Sequence, residues 1–196
     1  MPGLHAVGES VAIGRRIAII GTTGSGKTTL ARELAKRLGA QHVELDALFW
    51  ESGWRAAPND TFRERVAAAL RTPAWVSDGN YNSRIADLVW RRAETLIWLD
   101  LSFPVVFRRL VWRTMTRIVR KTELWNSNRE TWRSQVLSRD SLFVWILKSH
   151  RRNAREWTAL LADPQYAHLR VVRLGSPRAV RLFLASTPGG EATASR

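Results

Sequence analysis

Residues 21–28 contain the feature that most restricts how this 196-residue chain can fold. They read Gly-Thr-Thr-Gly-Ser-Gly-Lys-Thr and fit the pattern G-x-x-x-x-G-K-[ST] at every fixed position. Glycines let such a loop curl until successive backbone N–H groups point at one centre, and a following helix adds the positive end of its dipole. The apolar run 16–20 predicts a strand before the loop, and the leucine spacing over 26–38 predicts a helix after it. The loop therefore has the flanking elements that phosphate binding requires.

A loop of this kind predicts a binding site for the triphosphate of ATP or GTP, and we take ATP with Mg²⁺ as the expected ligands. We expect Lys27 to reach the β- and γ-phosphates and the Thr28 hydroxyl to hold the Mg²⁺ ion. The expected nucleotide-binding residues of the loop and the helix start are Gly21, Thr22, Thr23, Gly24, Ser25, Gly26, Lys27, Thr28 and Thr29.

Strands alternate with helices along the rest of the chain, which is typical of a parallel sheet with helices on both faces. Short apolar runs predict four further strands, at 42–45, 75–78, 95–100 and 169–174. The fold class is therefore α/β. Between 105 and 162 helix follows helix without a strand, and we interpret this stretch as a helical lid or insertion. We expect one domain over 1–186 and a flexible tail over 187–196.

The formal net charge is the unusual bulk property, because 31 basic and 17 acidic side chains give +14. Such a chain should attract polyanions such as nucleotides or nucleic acid, although an Arg-rich, Lys-poor composition is also typical of a GC-rich genome. Cysteine is absent, which excludes disulfides and cysteine-ligated zinc. No N-terminal segment reads as a secretory signal and no apolar run is long enough to span a bilayer. We therefore expect a cytoplasmic protein without a membrane partner.

The order of these features resembles the adenylate-kinase-like group of small P-loop kinases over about residues 15–185. Within that group, LDALFW (45–50), GW (53–54) and DGNY (78–81) resemble the branch labelled adenylate kinase-related or DNA topology modulation protein. The resemblance implies a five-stranded parallel sheet of order 2-3-1-4-5, an acceptor-binding segment and a mobile lid.

The group's nucleoside monophosphate kinases carry an arginine two positions after a D-G-F motif, and it holds the phosphate of the acceptor. The corresponding run here, 78–82, contains no arginine, and the nearest one is Arg84. This departure disfavours a nucleoside monophosphate as the acceptor.

Two aspartates compete for the carboxylate that holds Mg²⁺ through its water shell. The local pattern favours Asp100, because the four residues before it, 96–99, are all apolar. The resemblance favours Asp78, because the third strand lies beside the P-loop strand in these kinases. We assign Asp78 to the metal, which leaves Asp100 the role of a helix N-cap or turn residue.

A third aspartate, Asp46, ends the predicted second strand and should lie at the carboxyl edge of the sheet, where open α/β sheets bind ligands. It could orient an acceptor hydroxyl and take its proton late in a transfer, or it could simply cap a turn. The aromatic residues that follow, Phe49, Trp50 and Trp54, either sandwich a flat acceptor or pack the helical segment. Arg55 could contact an anionic group of the acceptor.

The helix predicted from Pro104 carries a basic ridge, because Arg109, Arg113, Arg117 and Lys121 recur at i, i+4 spacing. Like charges at this spacing repel unless anions neutralise them, which favours a functional role over a solvated face. The pair 109 and 113 is also similar to the R-x-x-x-R of lid arginines in these kinases. The resemblance implies that lid arginines stabilise charge on the transferring phosphoryl group, and we assign Arg113 to this role and Arg109 to nucleotide binding. Arg117, which lies on the ridge but outside the R-x-x-x-R, is expected to act in the same way more weakly.

Together these features predict an ATP-binding phosphotransferase, a nucleotide or small-molecule kinase whose catalytic residues are Lys27, Asp46, Arg113 and Arg117. A nucleic-acid-associated NTPase or a 5′-hydroxyl polynucleotide kinase is the alternative, and it would explain the charge and the Trp-Arg pairs at 112–113 and 132–133. The basic cluster at 148–155 could line a lid or bind nucleic acid. The histidines, which include His42, lack metal-ligand spacing and receive no role.

The intact loop motif predicts that Lys27→Ala abolishes stabilisation of the fold by nucleotide, because the lysine is the side chain expected to contact the terminal phosphates. Thermal unfolding with and without Mg-ATP measures this effect. A variant that kept the full wild-type shift in melting temperature would contradict the assignment.

Overall fold

A five-stranded parallel sheet organises residues 13–119 and 142–188, the part of the chain that the computed structural model describes. Its strands are β1 (Arg16–Gly21), β2 (Gln41–Glu44), β5 (Trp75–Asp78), β6 (Thr95–Leu99) and β7 (Arg170–Leu174). They pair in the order β2-β5-β1-β6-β7, which is 2-3-1-4-5 when only these five are counted. The predicted fold class and strand order are therefore confirmed. Two further strands, β3 (Trp50–Glu51) and β4 (Arg55–Ala56), form a small antiparallel hairpin that the sequence did not predict.

Helices cover both faces of the sheet. They are α1 (Lys27–Leu38), α2 (Leu45–Phe49), α3 (Asn59–Ala69), α4 (Asn82–Val89), α5 (Phe103–Val119), α6 (Leu142–Leu161) and α7 (Pro177–Ser186), with a 3-10 turn at Pro164–Tyr166. Within the described part of the chain, no helix combines the length and the apolarity that a bilayer span requires.

The two faces of the sheet bury separate apolar layers, which explains why the central strands are apolar at successive positions. In β1, Ile17 and Ile19 face the layer formed with α1 and α7, while Ala18 and Ile20 face the layer formed with α3, α4 and α6. This alternation follows from the two-residue repeat of a strand. Because β1 is buried on both sides, the loop that follows it starts from a rigid position.

Helix α5 packs against that loop through its first half. Val106 and Leu110 are fully buried, and a Cβ at Gly24 would lie 3.0 Å from the Val106 carbonyl oxygen. The end of α6 belongs to the main core, where Trp157 meets Trp98 edge to face. Both ends of the predicted lid segment 105–162 are thus packed on the domain, and residues 120–141 between them lie outside the described part.

Thr187 closes α7, because its hydroxyl is buried and donates a hydrogen bond of 2.9 Å to the Phe183 carbonyl. The predicted tail beyond residue 188 lies outside the described part of the chain.

The start of β1 is fixed by one side chain, Glu94, from the turn before β6. Its carboxylate accepts hydrogen bonds from the Arg15 and Arg16 backbone N–H groups, at 2.7 and 3.2 Å, and from the Arg16 guanidinium. Partial burial alone would raise the pKa of Glu94, but these hydrogen bonds outweigh it and hold the pKa below the ordinary 4.5. Because the folded-state pKa is lowered, Glu94 stabilises the fold above its unfolded-state pKa and ceases to do so as the pH falls through its folded-state pKa.

Glu94→Gln should therefore lower the free energy of unfolding by about 1 kcal/mol at pH 7, and the difference from wild type should shrink below about pH 4. Denaturant unfolding of both proteins across this pH range measures it. Glu64→Gln, at an exposed position of α3, is the matched control and should change little. A difference for Glu94→Gln that stayed constant down to pH 2.5 would contradict the charge-based explanation.

Candidate functional site

The loop between β1 and α1 curls around an open centre at the carboxyl edge of the sheet. Gly24 and Gly26 adopt left-handed backbone angles, with φ of 85° and 97°, that any other residue adopts only with strain. The N–H groups at the start of α1 face the same side as the loop. This is the local structure that the loop motif predicts.

Lys27 lies inside the curve of the loop. Its Nζ donates a hydrogen bond of 2.8 Å to the Gly21 carbonyl and a longer one of 3.4 Å to the Thr22 carbonyl. Burial lowers the pKa of Lys27, while the nearby carboxylates of Asp46 and Asp78 partly oppose that shift. The ammonium group is thus held at the centre of the loop, between two acidic groups.

Two more groups suit a phosphate ligand, one within the loop and one on α5 beside it. Ser25 Oγ is buried and has no hydrogen-bond partner among the described residues, so it is a donor in need of an acceptor. Arg109 of α5 donates a hydrogen bond of 3.0 Å to the Ser25 carbonyl, which places its guanidinium beside the loop. Phosphate oxygens are acceptors that match both groups.

Asp78 ends β5 beside β1 and is almost fully buried. Its Oδ2 accepts a hydrogen bond of 2.6 Å from the Thr28 hydroxyl, and its Oδ1 lies 2.7 Å from His42 Nε2 of β2, which donates to it. The predicted pair of a hydroxyl and a carboxylate for Mg²⁺ is therefore adjacent, and its oxygen donors are those that Mg²⁺ prefers. No cluster of three His, Asp or Glu side chains that could bind a metal alone occurs among the described residues. Magnesium here would depend on phosphate oxygens and water as well.

Asp100, the competing carboxylate, lies beyond the end of β6 and has another partner. Arg173 of β7 forms an ion pair with it, with Arg173 Nε 2.8 Å from Asp100 Oδ2. The same guanidinium covers the face of Trp98 at 4.6 Å. Asp100 thus joins two neighbouring strands, as a structural residue would.

Asp46 lies on the second residue of α2, which corrects the expectation that it ends a strand. Strand β2 stops at Glu44, and the chain turns into a short helix at the sheet edge, so Asp46 still reaches the cleft. The Tyr81 hydroxyl donates a hydrogen bond of 2.6 Å to Asp46 Oδ1. Burial, and then the charge of Asp46, raise the pKa of Tyr81 well above 10, so the phenol stays protonated and keeps its donor. Trp50 makes a further side-chain hydrogen bond to the Tyr81 oxygen.

One cleft of about 900 Å³ lies at the carboxyl edge of the sheet. Asp78 does not line it but bonds Thr28, which does. The lining of the cleft includes the loop, Lys27, Thr28, Asp46, Arg109 and Arg113, so the structure brings these predicted site residues together. Arg117 lies on α5, but its side chain is outside the described part of the chain, as is Lys121.

The aromatic residues after Asp46 divide between packing and the cleft. Phe49 is buried against Phe62 and Tyr81, so it packs the core. Trp50 and Trp54 line the cleft, with ring centroids 5.7 Å apart and planes at 77°. Packing is thus the role of Phe49, and the acceptor role stays a prediction for Trp50 and Trp54.

Comparison with known proteins supports this geometry. A protein-family model described as AAA domain matches residues 17–133, which is more than half of the chain. The chain belongs to this AAA domain family. The match begins in β1 and contains the phosphate-binding loop, Asp46 and Asp78.

Relatives of this AAA domain protein include kinases, and each alignment covers half of this chain or less. Shikimate kinase of Synechococcus elongatus is 28% identical over 112 residues, which cover 50% of this chain and 58% of that enzyme. The bifunctional pantoate ligase/cytidylate kinase of Gloeobacter violaceus is 38% identical over 79 residues, 38% of this chain and 15% of that protein. The chain therefore aligns with little more than half of the first relative and a small part of the second.

The fold is similar to that of a solved structure, the shikimate kinase of Bacteroides thetaiotaomicron, with a TM-score of 0.50. The two share 18% of their residues over 87% of this chain and 94% of the other. At this identity the likeness shows the fold alone.

Sequence reasoning missed three residues of this AAA domain site. His42 contacts Asp78 across 36 positions of sequence, and no local pattern marks that pair. Asn80 donates 2.8 Å to the Gly21 carbonyl and accepts from the Gly21 N–H at 3.4 Å, so it ties the loop to the end of β5. Tyr81 supports Asp46. The last two stand in the DGNY run, whose resemblance was noted without a role for either residue.

The geometry predicts that Asp78→Asn loses the Mg²⁺-dependent tightening of ATP binding. The affinity for ATP in the presence of Mg²⁺ should fall tenfold or more, which corresponds to about 1.4 kcal/mol of binding free energy. The amide can still accept the Thr28 hydrogen bond, so the fold should remain. Asp100→Asn should keep the Mg²⁺ effect and lose only stability, because its partner is Arg173. Titration of ATP with and without Mg²⁺ decides between them, and the reverse pattern would assign the metal to Asp100.

Proposed function

We propose that this protein is a kinase that transfers the γ-phosphoryl group of ATP to a hydroxyl group of a small acceptor. One observation carries the proposal: the phosphate-binding loop, the Thr28–Asp78 pair and the Asp46 carboxylate line or adjoin a single cleft. The similarity to part of a shikimate kinase and part of a cytidylate kinase supports it. The finer resemblance, to the adenylate kinase-related branch, belongs to the same proposal.

The loop would hold the nucleotide through its phosphates. Backbone N–H groups and Ser25 Oγ would donate to phosphate oxygens, and the Lys27 ammonium would exchange its Gly21 carbonyl partner for the β- and γ-phosphates. Thr28 and Asp78 are the residues that would hold Mg²⁺, which neutralises charge on the phosphates when bound. His42 and Asn80 keep Asp78 and the loop in place for this task.

Asp46 would position the acceptor. Its carboxylate would accept a hydrogen bond from the acceptor hydroxyl and orient the oxygen toward the γ-phosphorus. A bond forms between that oxygen and phosphorus, the bond from phosphorus to the β–γ bridging oxygen breaks, and its electron pair leaves with ADP. The hydroxyl proton passes to Asp46 and then to solvent. Tyr81 stays protonated and fixes the other carboxylate contact.

The arginines of α5 would stabilise the phosphoryl group during transfer. Arg113 lines the cleft on the same helix face as Arg109, one turn further from the loop contact at Ser25. We assign Arg113 to the charge that develops in the transition state and Arg109 to the bound nucleotide. Arg117 is proposed for the same role as Arg113, with a weaker effect, because it lies a further turn away.

We do not extend the proposal to nucleic acid. Arginines on several faces of the described domain form ion pairs with acidic neighbours, among them Arg16, Arg37, Arg63, Arg65 and Arg173. Two Trp-Arg pairs motivated that alternative. The 132–133 pair lies outside the described residues, and in the 112–113 pair Trp112 is exposed while Arg113 lines the cleft. Nucleic-acid binding stays a prediction from charge.

Arg113→Ala should lower phosphoryl transfer by roughly 10²–10³-fold, because it removes one preorganised donor to the transition state. ATP affinity should fall much less. The matched control is Arg108→Ala, an exposed arginine of α5 that does not line the cleft, and it should act like wild type. Turnover is measured as ADP release with an acceptor, or as slow ATP hydrolysis by water. Wild-type turnover in Arg113→Ala, together with lost affinity for single-stranded DNA or RNA, would overturn the kinase proposal in favour of nucleic-acid binding.

A further inference from the structure

The cleft has two chemically different walls. The basic side chains that line it come from α1 and α5, namely Lys27, Arg32, Arg109 and Arg113. The wall formed by β2, α2, β3 and the segment after β5 is different. Its lining side chains are acidic, aromatic or neutral and polar: Glu44, Asp46, Trp50, Asn80 and Tyr81, continued by Trp54 of the hairpin turn. Among the described residues, no basic side chain of this second wall lines the cleft.

Trp54 is placed at the cleft by a strained turn. It follows Gly53 between β3 and β4 and adopts φ of 56°, the one left-handed non-glycine residue in the described part of the chain. A large side chain adopts this conformation only with strain. Its indole is nevertheless 38% exposed. The turn thus holds Trp54 edge to face with Trp50 at the cleft, where a partly exposed aromatic face can stack against a ligand.

One arginine that lines the cleft contacts this wall and is already paired, because Arg32 of α1 forms an ion pair with Glu44 at 3.3 Å. Two further arginines lie near the wall without lining the cleft. Arg84 of α4 lies over the ring of Phe49, with its guanidinium carbon 5.3 Å from the centroid, and it does not line the cleft. Arg55 of β4 is exposed and does not line it either. An anionic acceptor on this wall would meet the Asp46 carboxylate, while Arg32 already neutralises Glu44. Like charges at short range are unfavourable.

We infer that the acceptor is a neutral, polyhydroxylated ring or chain of the carbohydrate type. Such a molecule offers apolar C–H faces to Trp50 and Trp54 and a hydroxyl donor to the carboxylate of Asp46. Asn80 provides an amide that both donates and accepts. The inference rests on the proposed function, whose acceptor class it names.

The test is a panel of neutral pentoses, hexoses and hexitols against the same skeletons carrying a carboxylate or phosphate, with shikimate and cytidylate added as the named substrates of the relatives. ADP release with Mg-ATP reports transfer, and calorimetry with a non-hydrolysable ATP analogue reports binding alone. At least one neutral compound should bind and release ADP. Trp54→Asn, which suits the left-handed angle, should raise the KM for that compound about tenfold with little change in kcat. Arg84→Ala should leave both constants unchanged.

Turnover of an anionic member in preference to every neutral one, or loss of turnover in Arg84→Ala, would overturn the inference and leave the kinase proposal intact. A panel in which no neutral compound binds would overturn it too. Neutral compounds that bind in a Trp54-dependent manner without ADP release would instead support the acceptor class and contradict the proposed transfer.

Discussion

The buried carboxylate of Asp78 is the interaction on which the rest of this site depends. A carboxylate in the interior is tolerated only when hydrogen bonds compensate for lost water, and Asp78 has two such partners. Thr28 comes from the first turn of α1 and His42 from β2, so the carboxylate joins the helix after the loop to the outermost strand of the sheet. Its strand, β5, lies between β1 and β2. The strand order of the fold is therefore what brings these partners together.

The same contact explains which parts of the protein the sequence could predict. The loop, β1 and α1 follow one another within residues 16–38, and local spacing and glycine content determine them. The sheet order came from resemblance and was confirmed. His42 and Tyr81 could not be assigned, because their partners lie 36 and 35 positions away. Asp46 was placed on a strand because short apolar runs do not distinguish a strand end from a one-turn helix.

Helix α4 was also missed, although a signal was present. Its buried residues Ile85, Ala86 and Val89 recur at helical spacing, but Asn82 and Ser83 at its start read as turn residues. The helix supports the site indirectly, because it begins directly after Tyr81. Tyr81, which donates a hydrogen bond to Asp46, is thus positioned by α4, and α4 is stabilised by packing in the core.

Helix α5 couples the loop to the arginines proposed for catalysis through close backbone contact. Gly24 leaves no room for a Cβ against Val106, and Arg109 bonds the Ser25 carbonyl, so the loop and the helix fix each other's position. The position of Arg113 depends on that contact, because Arg113 lies one turn further along a helix that the buried residues Val106 and Leu110 hold in place. The basic side chains that line the cleft come from α1 and α5, while the carboxylates of Glu44, which Arg32 pairs, and of Asp46 lie on the opposite wall. That separation would favour a phosphate ligand on one side and a hydroxyl-rich ligand on the other.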